Sequence, residues 1–172
     1  IQMDPGSAFG TGSHPTTRLC LEALERKPPS DLLVGDLGCG SGVLGLAALR
    51  FGARQVFAAD TDSLAVCSSS QNSDLNGFGR EKFRVLHGST EALKRDLEGG
   101  SVDLLLCNIL APVIEAMAPT FEQLVAPSGR LLLSGLLLAQ IPSLKNVLEA
   151  CGWRVLGQFQ QGGWGLIELN RA

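Results

Sequence analysis

Only two histidines occur in the chain, His14 and His87, and no C-x-x-C pair appears among its five cysteines. That shortage excludes a histidine-rich metal centre and a zinc ribbon, and no metal is expected. The cysteines, at 20, 39, 67, 107 and 151, are odd in number and scattered. Such a pattern suits buried reduced thiols rather than a disulfide framework. Basic residues are not in excess: fourteen Lys and Arg stand against seventeen Asp and Glu, for a net charge of −3. This balance leaves no broad face for direct contact with nucleic acid, and it is compatible with a basic protein partner. Long apolar runs are also missing. The stretch LLLSGLLLA at 131–139 is too short to span a bilayer, and Ser134 and Gly135 interrupt it. With no membrane span and no visible secretory leader, a cytoplasmic protein is expected. The chain opens at Ile1 rather than methionine and reads as a piece of something longer.

What is present suffices for one well-packed domain. At 172 residues and 45% hydrophobic composition, the chain can bury roughly 70% of its unfolded surface without staples. Pro15 to Arg26 suits a helix capped by Ser13 or His14, and KPPS at 27–30 ends it. Strands are expected at 32–38, 53–60, 82–88, 101–108 and 129–136. Helices are expected at 43–52, 63–77, 90–97, 109–125 and 141–152, with Pro112 in a first turn and a kink at Pro119. WRVLGQFQ and GGWGLIELN read as a closing hairpin. Near-continuous apolar strands alternating with helices mean an α/β fold. The sheet is doubly wound and mostly parallel, covered on both faces, with the hairpin as an antiparallel edge. Within this single domain, residues 1–30 form a leading segment and helix, and residues 31–172 form the core.

The strongest local signal is DLGCGSG at 36–42, where the first strand hands over to a helix. Gly38, Gly40 and Gly42 let the backbone turn tightly and approach a ligand. Asp60 ends the next strand 22 residues after Gly38, where a carboxylate can take a ribose diol. Three readings compete: a turn with no ligand, a dinucleotide site, and an S-adenosylmethionine site. The dinucleotide pattern needs a glycine where this chain has Val43, and a pyrophosphate would be repelled by Asp36. S-adenosylmethionine carries a ribose diol without a phosphate, and its ammonium gives Asp36 a partner, directly or through water. It is the preferred cofactor, with Asp36, Gly38, Gly40, Gly42 and Asp60 as candidate contacts. Asp62 reads as a helix cap and His87 as a packed or solvent-edge residue. Ser89, just past the third strand, is a candidate adenine contact.

Asn108 ends the fourth strand and is aimed at the same crevice. Its uncharged carbonyl suits a substrate amine held with the lone pair free, where a carboxylate would favour the non-nucleophilic ammonium. The competing reading makes Asn108 the cap of the next helix.

DPGSAFGTGSHPTT (4–17), DLGCGSG (36–42), AADTD (58–62) and NILA (108–111), in that order and at these distances, carry a family likeness. Together they resemble the catalytic domain of the ribosomal protein L-eleven methyltransferase family (PrmA-type). The likeness runs from about residue 3 to the end and closes on the tryptophan of GGWGLIEL. It implies a seven-stranded, Rossmann-like class I methyltransferase fold that binds S-adenosylmethionine. It also implies methylation of lysine side-chain and N-terminal amines of a ribosomal protein, with large-subunit protein eleven as the partner. Cofactor contacts are implied on Thr17, Gly38, Asp60 and Asn108, with Thr16 beside Thr17. The 4–17 stretch becomes a flap over the cofactor, hinged at Gly6, Gly10 and Gly12. Phe9 would cover the methionine end or line the amine's channel. Members of the family carry a separate N-terminal recognition domain that these residues do not include. Pro112 stands where the family pattern has glycine.

The reaction so implied is methyl transfer to a neutral amine held by Asn108 and the backbone carbonyl of Ile109, with His14 the only nearby imidazole. Two other readings stay open. The acceptor could be another protein lysine or a small-molecule amine, or the chain could be a cofactor-binding module that needs a further domain to act.

Overall fold

Strand and helix alternate along the chain in a computed structural model that describes residues 1–4 and 12–172. The first half contains α1 (Pro15–Arg26), β1 (Leu33–Leu37), α2 (Val43–Arg50), β2 (Gln55–Asp60), α3 (Ser63–Leu75) and β3 (Phe83–His87). The second contains α4 (Thr90–Asp96), β4 (Val102–Asn108), α5 (Ala111–Met117), β5 (Val125–Leu137), α6 (Ile141–Ala150), β6 (Trp153–Gln161) and β7 (Trp164–Arg171). The strands form one sheet in the order β3-β2-β1-β4-β5-β7-β6. β1 pairs in parallel with both β2 and β4, so strand order reverses between β1 and β4. A crevice opens at such a switch point, beyond the carboxyl ends of the strands. Among the described residues, no helix is long and apolar enough to cross a membrane.

Each central strand is apolar on both sides because each faces a helical layer. On one face, Val34, Leu104, Leu106 and Leu132 pack with Leu24 of α1 and Leu46 of α2. On the other, Leu37, Leu105, Leu131 and Leu133 pack with Leu93, Ile114, Phe121 and Leu144. α1 thus belongs to the same core as β1 and α2. Its N-cap is His14, whose side chain accepts from the Thr16 N–H, and Pro15 occupies the first turn.

Two expectations need correction, the helix at 109–125 and the burial of every cysteine. The helix read at 109–125 stops as an α-helix at Met117 and continues as a 3-10 turn over Ala118–Gln123. Pro119 has no N–H to carry the α-helical ladder onward. The closing hairpin forms the expected antiparallel edge: β7 runs antiparallel between β5 and β6, leaving β6 outermost. Composition explains the order, since Leu166, Ile167 and Leu169 of β7 are fully buried while β6 exposes alternate residues. Not every cysteine is buried: Cys20, Cys39 and Cys107 are, but Cys151 is half-buried and Cys67 lies exposed on α3. Burial pushes the Cys20 thiol up to about 12.

β5 clasps α1 at both ends. Near the crevice, Ser134 Oγ donates to the carbonyl of Thr16 at 3.1 Å. At the far end, Arg130 Nη2 donates to the carbonyl of Lys27 at 2.7 Å, while its Nη1 meets Glu168 at 3.0 Å. This ion pair is largely buried, so removing one partner strands the other charge. Arg130→Ala is expected to cost about 3 kcal/mol or more in urea unfolding, whereas an exposed pair would cost under about 1 kcal/mol.

Candidate functional site

The crevice is a cavity of about 580 Å³. The glycine turn contributes Gly38 and Gly40, and the ends of β2, β3 and β4 contribute Asp60, Ser89 and Asn108. Ile109 and Thr16 line it as well, so seven of the residues singled out from the sequence meet there. Thr17, Asp36 and Gly42 do not line it; they stand behind the wall. The covering role expected of Gly6, Phe9 and Gly10 falls on residues outside the described ones.

Four of the turn's N–H groups are spent within the protein. Those of Gly38 and Cys39 donate to the carbonyl of Ala59, at 2.8 and 3.2 Å. That of Gly40 donates to Asp60 Oδ2 at 2.9 Å, and that of Gly42 to the Cys39 carbonyl at 2.8 Å. Gly38, Gly40 and Gly42 all have positive φ, which lets the chain double back in this way. A pyrophosphate cradle needs such donors free, at the turn and at the start of the following helix. At the helix start one donor is engaged too, the Gly45 N–H, which meets Asp36 Oδ2 at 2.8 Å. The site therefore favours a ligand with hydroxyls for Asp60 over one with phosphates.

The two aspartates differ in surroundings. Asp60 is half-buried, and its carboxylate is oriented by the Gly40 N–H on Oδ2 and the Asp62 N–H on Oδ1, both at 2.9 Å. Asp62 in turn caps α3, accepting from the Leu64 N–H. Asp36 is 1% exposed. Loss of solvent pushes its carboxyl up to about 7, against the Gly45 hydrogen bond, which favours the ionised form; the charge of Asp60 adds to the rise.

Asn108 does not cap α5. The N-cap is Leu110, and Asn108 Nδ2 instead donates to Thr17 Oγ1 at 3.4 Å. With the amide nitrogen turned to the buried Thr17, the carbonyl oxygen is the atom left for the cavity. Ile109 is wedged between two glycines. A Cβ at Gly38 would overlap Ile109 Cγ2, and one at Gly135 would overlap the Ile109 carbonyl oxygen. Gly135 has φ +84 and sits where the β5–β7 register shifts. Beside it, His14 Nδ1 lies 2.8 Å from Thr16 Oγ1, and the His14 ring meets Trp164 edge-on at 5.1 Å between centroids. At the other end Ser89 Oγ donates to Met117 Sδ at 3.4 Å, while His87 turns away to the Thr61 carbonyl.

Sequence reading missed several parts of this site. Ser69 and Asn72 of α3, both fully buried, donate to the carbonyls of Gly40 and Ser41 and so hold the turn from behind. The polar run SSSQNS carried that signal, since 69, 72, 73 and 76 share one helix face. Asn72 Oδ1 also accepts from the Asp4 N–H at 2.8 Å, tying the start of the chain to the turn. The wall formed by Leu110, Val113, Met117, Gly135 and Trp164 was not identified either.

Comparisons with known proteins agree on one family. The PrmA family model, described as ribosomal protein L11 methyltransferase, matches residues 1–172. The ribosomal protein L11 methyltransferase of Prochlorococcus marinus (strain MIT 9313) is 65% identical over 99% of this chain and 57% of its own length. That of Parasynechococcus marenigrum (strain WH8102) is 66% identical over 99% and 59%. The chain thus spans under two thirds of the length of these relatives. The crystal structure of ribosomal protein L11 methylase from Lactobacillus delbrueckii subsp. bulgaricus superposes with a TM-score of 0.88 at 29% identity, covering 99% of this chain and 84% of that one. The tRNA methyltransferase TrmK of B. subtilis shares the fold alone, with a TM-score of 0.72 at 15% identity, covering 88% and 65%.

Asp36 generates a pH prediction. Its folded-state value is raised above that of an unfolded aspartate, so its contribution is complete below about pH 4 and is lost as pH rises through about 7. Unfolding free energy from urea titrations is expected to fall between about pH 4 and pH 7 in the wild type. Asp36→Asn should flatten that decline; an unchanged slope would contradict the assignment.

Proposed function

We propose, since this chain belongs to the ribosomal protein L11 methyltransferase (PrmA) family, that it binds S-adenosylmethionine and methylates amines of a ribosomal protein. The observation that carries the cofactor reading is the spent glycine turn beside an oriented Asp60 carboxylate. That donor set suits a ribose diol with no phosphate, and the cavity volume lies within the usual range for such ligands. Gly38, Gly40, Asp60, Ser89, Asn108 and Thr16 would touch the cofactor, while Thr17, Asp36 and Gly42 would act from behind. In that role Thr17 sets the Asn108 amide, Asp36 is a buried carboxyl that a cationic ligand above it would draw into its ionised form, and Gly42 opens α2. When bound, S-adenosylmethionine supplies an already activated sulfonium methyl, so the protein mainly positions and desolvates.

The chain's own residues then deal with the amine. A lysine is only about 0.1% neutral near pH 7.4, a penalty of roughly 4 kcal/mol. Among the described residues lining the cavity, Asp60 is the one carboxylate. The open end therefore disfavours the ammonium by desolvation instead of holding it by charge. Asn108 Oδ1 and the Ile109 carbonyl accept from the neutral amine and direct its lone pair inward. Thr17 keeps the amide from rotating, and the two glycines keep Ile109 in register. Lysine side chains and the N-terminal amine fit this arrangement, and the names of the relatives point to ribosomal protein L11 as the acceptor. Acting on such a substrate, the enzyme would work in the cytoplasm.

The test is methyl transfer from labelled S-adenosylmethionine to purified ribosomal protein L11. Asn108→Ala is expected to lower kcat about 100-fold, the cost of losing the orientation of a reacting group. His14→Ala is expected to cost under about 10-fold, the imidazole serving mainly as the α1 cap. Equal losses would contradict the assignment.

A further inference from the structure

The rim of the cavity is apolar in a way the fold does not require. Seven large apolar side chains are strongly exposed among the described residues, and three of them gather here. Leu110 and Val113 line the cavity while remaining 64% and 46% exposed, so they form its edge. Leu137, 45% exposed, pairs across β5–β7 with Trp164, which also lines the cavity. Leu110 breaks a local rule as well. It holds the N-cap of α5 with no side-chain hydrogen bond, where Ser, Asn or Asp would serve the helix better. A residue that helps neither helix nor core, placed two positions after Asn108, points to contact with something else.

Charge says what that something is. Asp60 lies on β2 and Trp164 on β7, four strand spacings or about 19 Å apart. Among the described residues, the rim therefore offers an incoming acceptor apolar surface and no nearby lining carboxylate, and the attraction these residues supply is apolar burial. We propose that Leu110, Val113 and Leu137 form a lip that receives an uncharged, apolar side chain flanking the target amine of the acceptor polypeptide. This inference rests on the reading of the site as an amine methyltransferase and names the local sequence that site prefers.

The test uses two lysine peptides identical except for the flanking residue, leucine in one and serine in the other. Each is titrated by calorimetry into the chain saturated with S-adenosylhomocysteine, and each is assayed for methyl transfer. The leucine peptide is expected to bind about 10-fold tighter, as partial burial of a leucine side chain predicts. Leu110→Ser, which supplies a better helix cap, and Leu137→Ser, outside the cavity, are each expected to shrink that ratio, and together to bring it within about twofold. Equal binding of the two peptides to the wild type, or no binding of either, would overturn the lip. So would a preference that survives both substitutions. Methyl transfer to both peptides with equal kcat/KM would overturn the lip and leave the proposed function standing. A leucine preference in binding without any methyl transfer would support the lip and count against the function.

Discussion

Ile109 sits between Gly38 and Gly135 with no room for a Cβ on either side. Through this one residue the ends of β1, β4 and β5 are locked together. Its side chain fills the space above the first glycine turn, and its backbone abuts the bulge of β5. That bulge also carries Ser134, which reaches the first turn of α1 and the carbonyl of Gly165 in β7. Asn108 precedes the wedge and Leu110 follows it, so their positions are set by the same contact. A site made of side chains from separate strands is only as well placed as such backbone approaches, and these two glycines make them possible.

Two carboxylates on neighbouring strands perform different tasks because their surroundings differ. Asp60 stands half in the cavity, oriented by two backbone donors, and keeps acceptor capacity for a ligand. Asp36 is sealed beneath the turn, bonded to the start of α2, and holds its proton to about pH 7. Its bond to the Gly45 N–H also removes one donor of the helix N-terminus from any anion. The same residue type thus takes a helix-start donor from below and offers acceptors for hydroxyls from the side. Such a division argues for a positively charged, phosphate-free cofactor more strongly than the glycine spacing does.

Much of this was legible in the sequence because the signals were local. Continuous apolar strands, the 36–42 turn, Asp60 at a strand end and Asp62 before a helix each follow from a few neighbouring residues. What escaped depended on contacts distant in the chain. Asn72 lies 31 residues from the Ser41 carbonyl it holds, and Asn108 lies 91 from Thr17. Gly135 looked like an interruption in an apolar run, and its purpose is visible only against Ile109. The hairpin was legible as the antiparallel edge, but its pattern does not say which arm pairs with the rest of the sheet, and β7 is that arm. Pro119 marked the right position, but the tighter turn that follows it depends on Phe121 finding the core.

The central claim is that the spent turn and Asp60 form a ribose site for a phosphate-free cofactor. Calorimetric titration of S-adenosylhomocysteine into the wild type and into Asp60→Ala tests it most directly. The account predicts binding near the micromolar range in the wild type and a loss of about 100-fold in the variant, the magnitude of charge-assisted hydrogen bonds to a diol. Equal affinity in the two proteins, or no binding to a folded wild type, would contradict it.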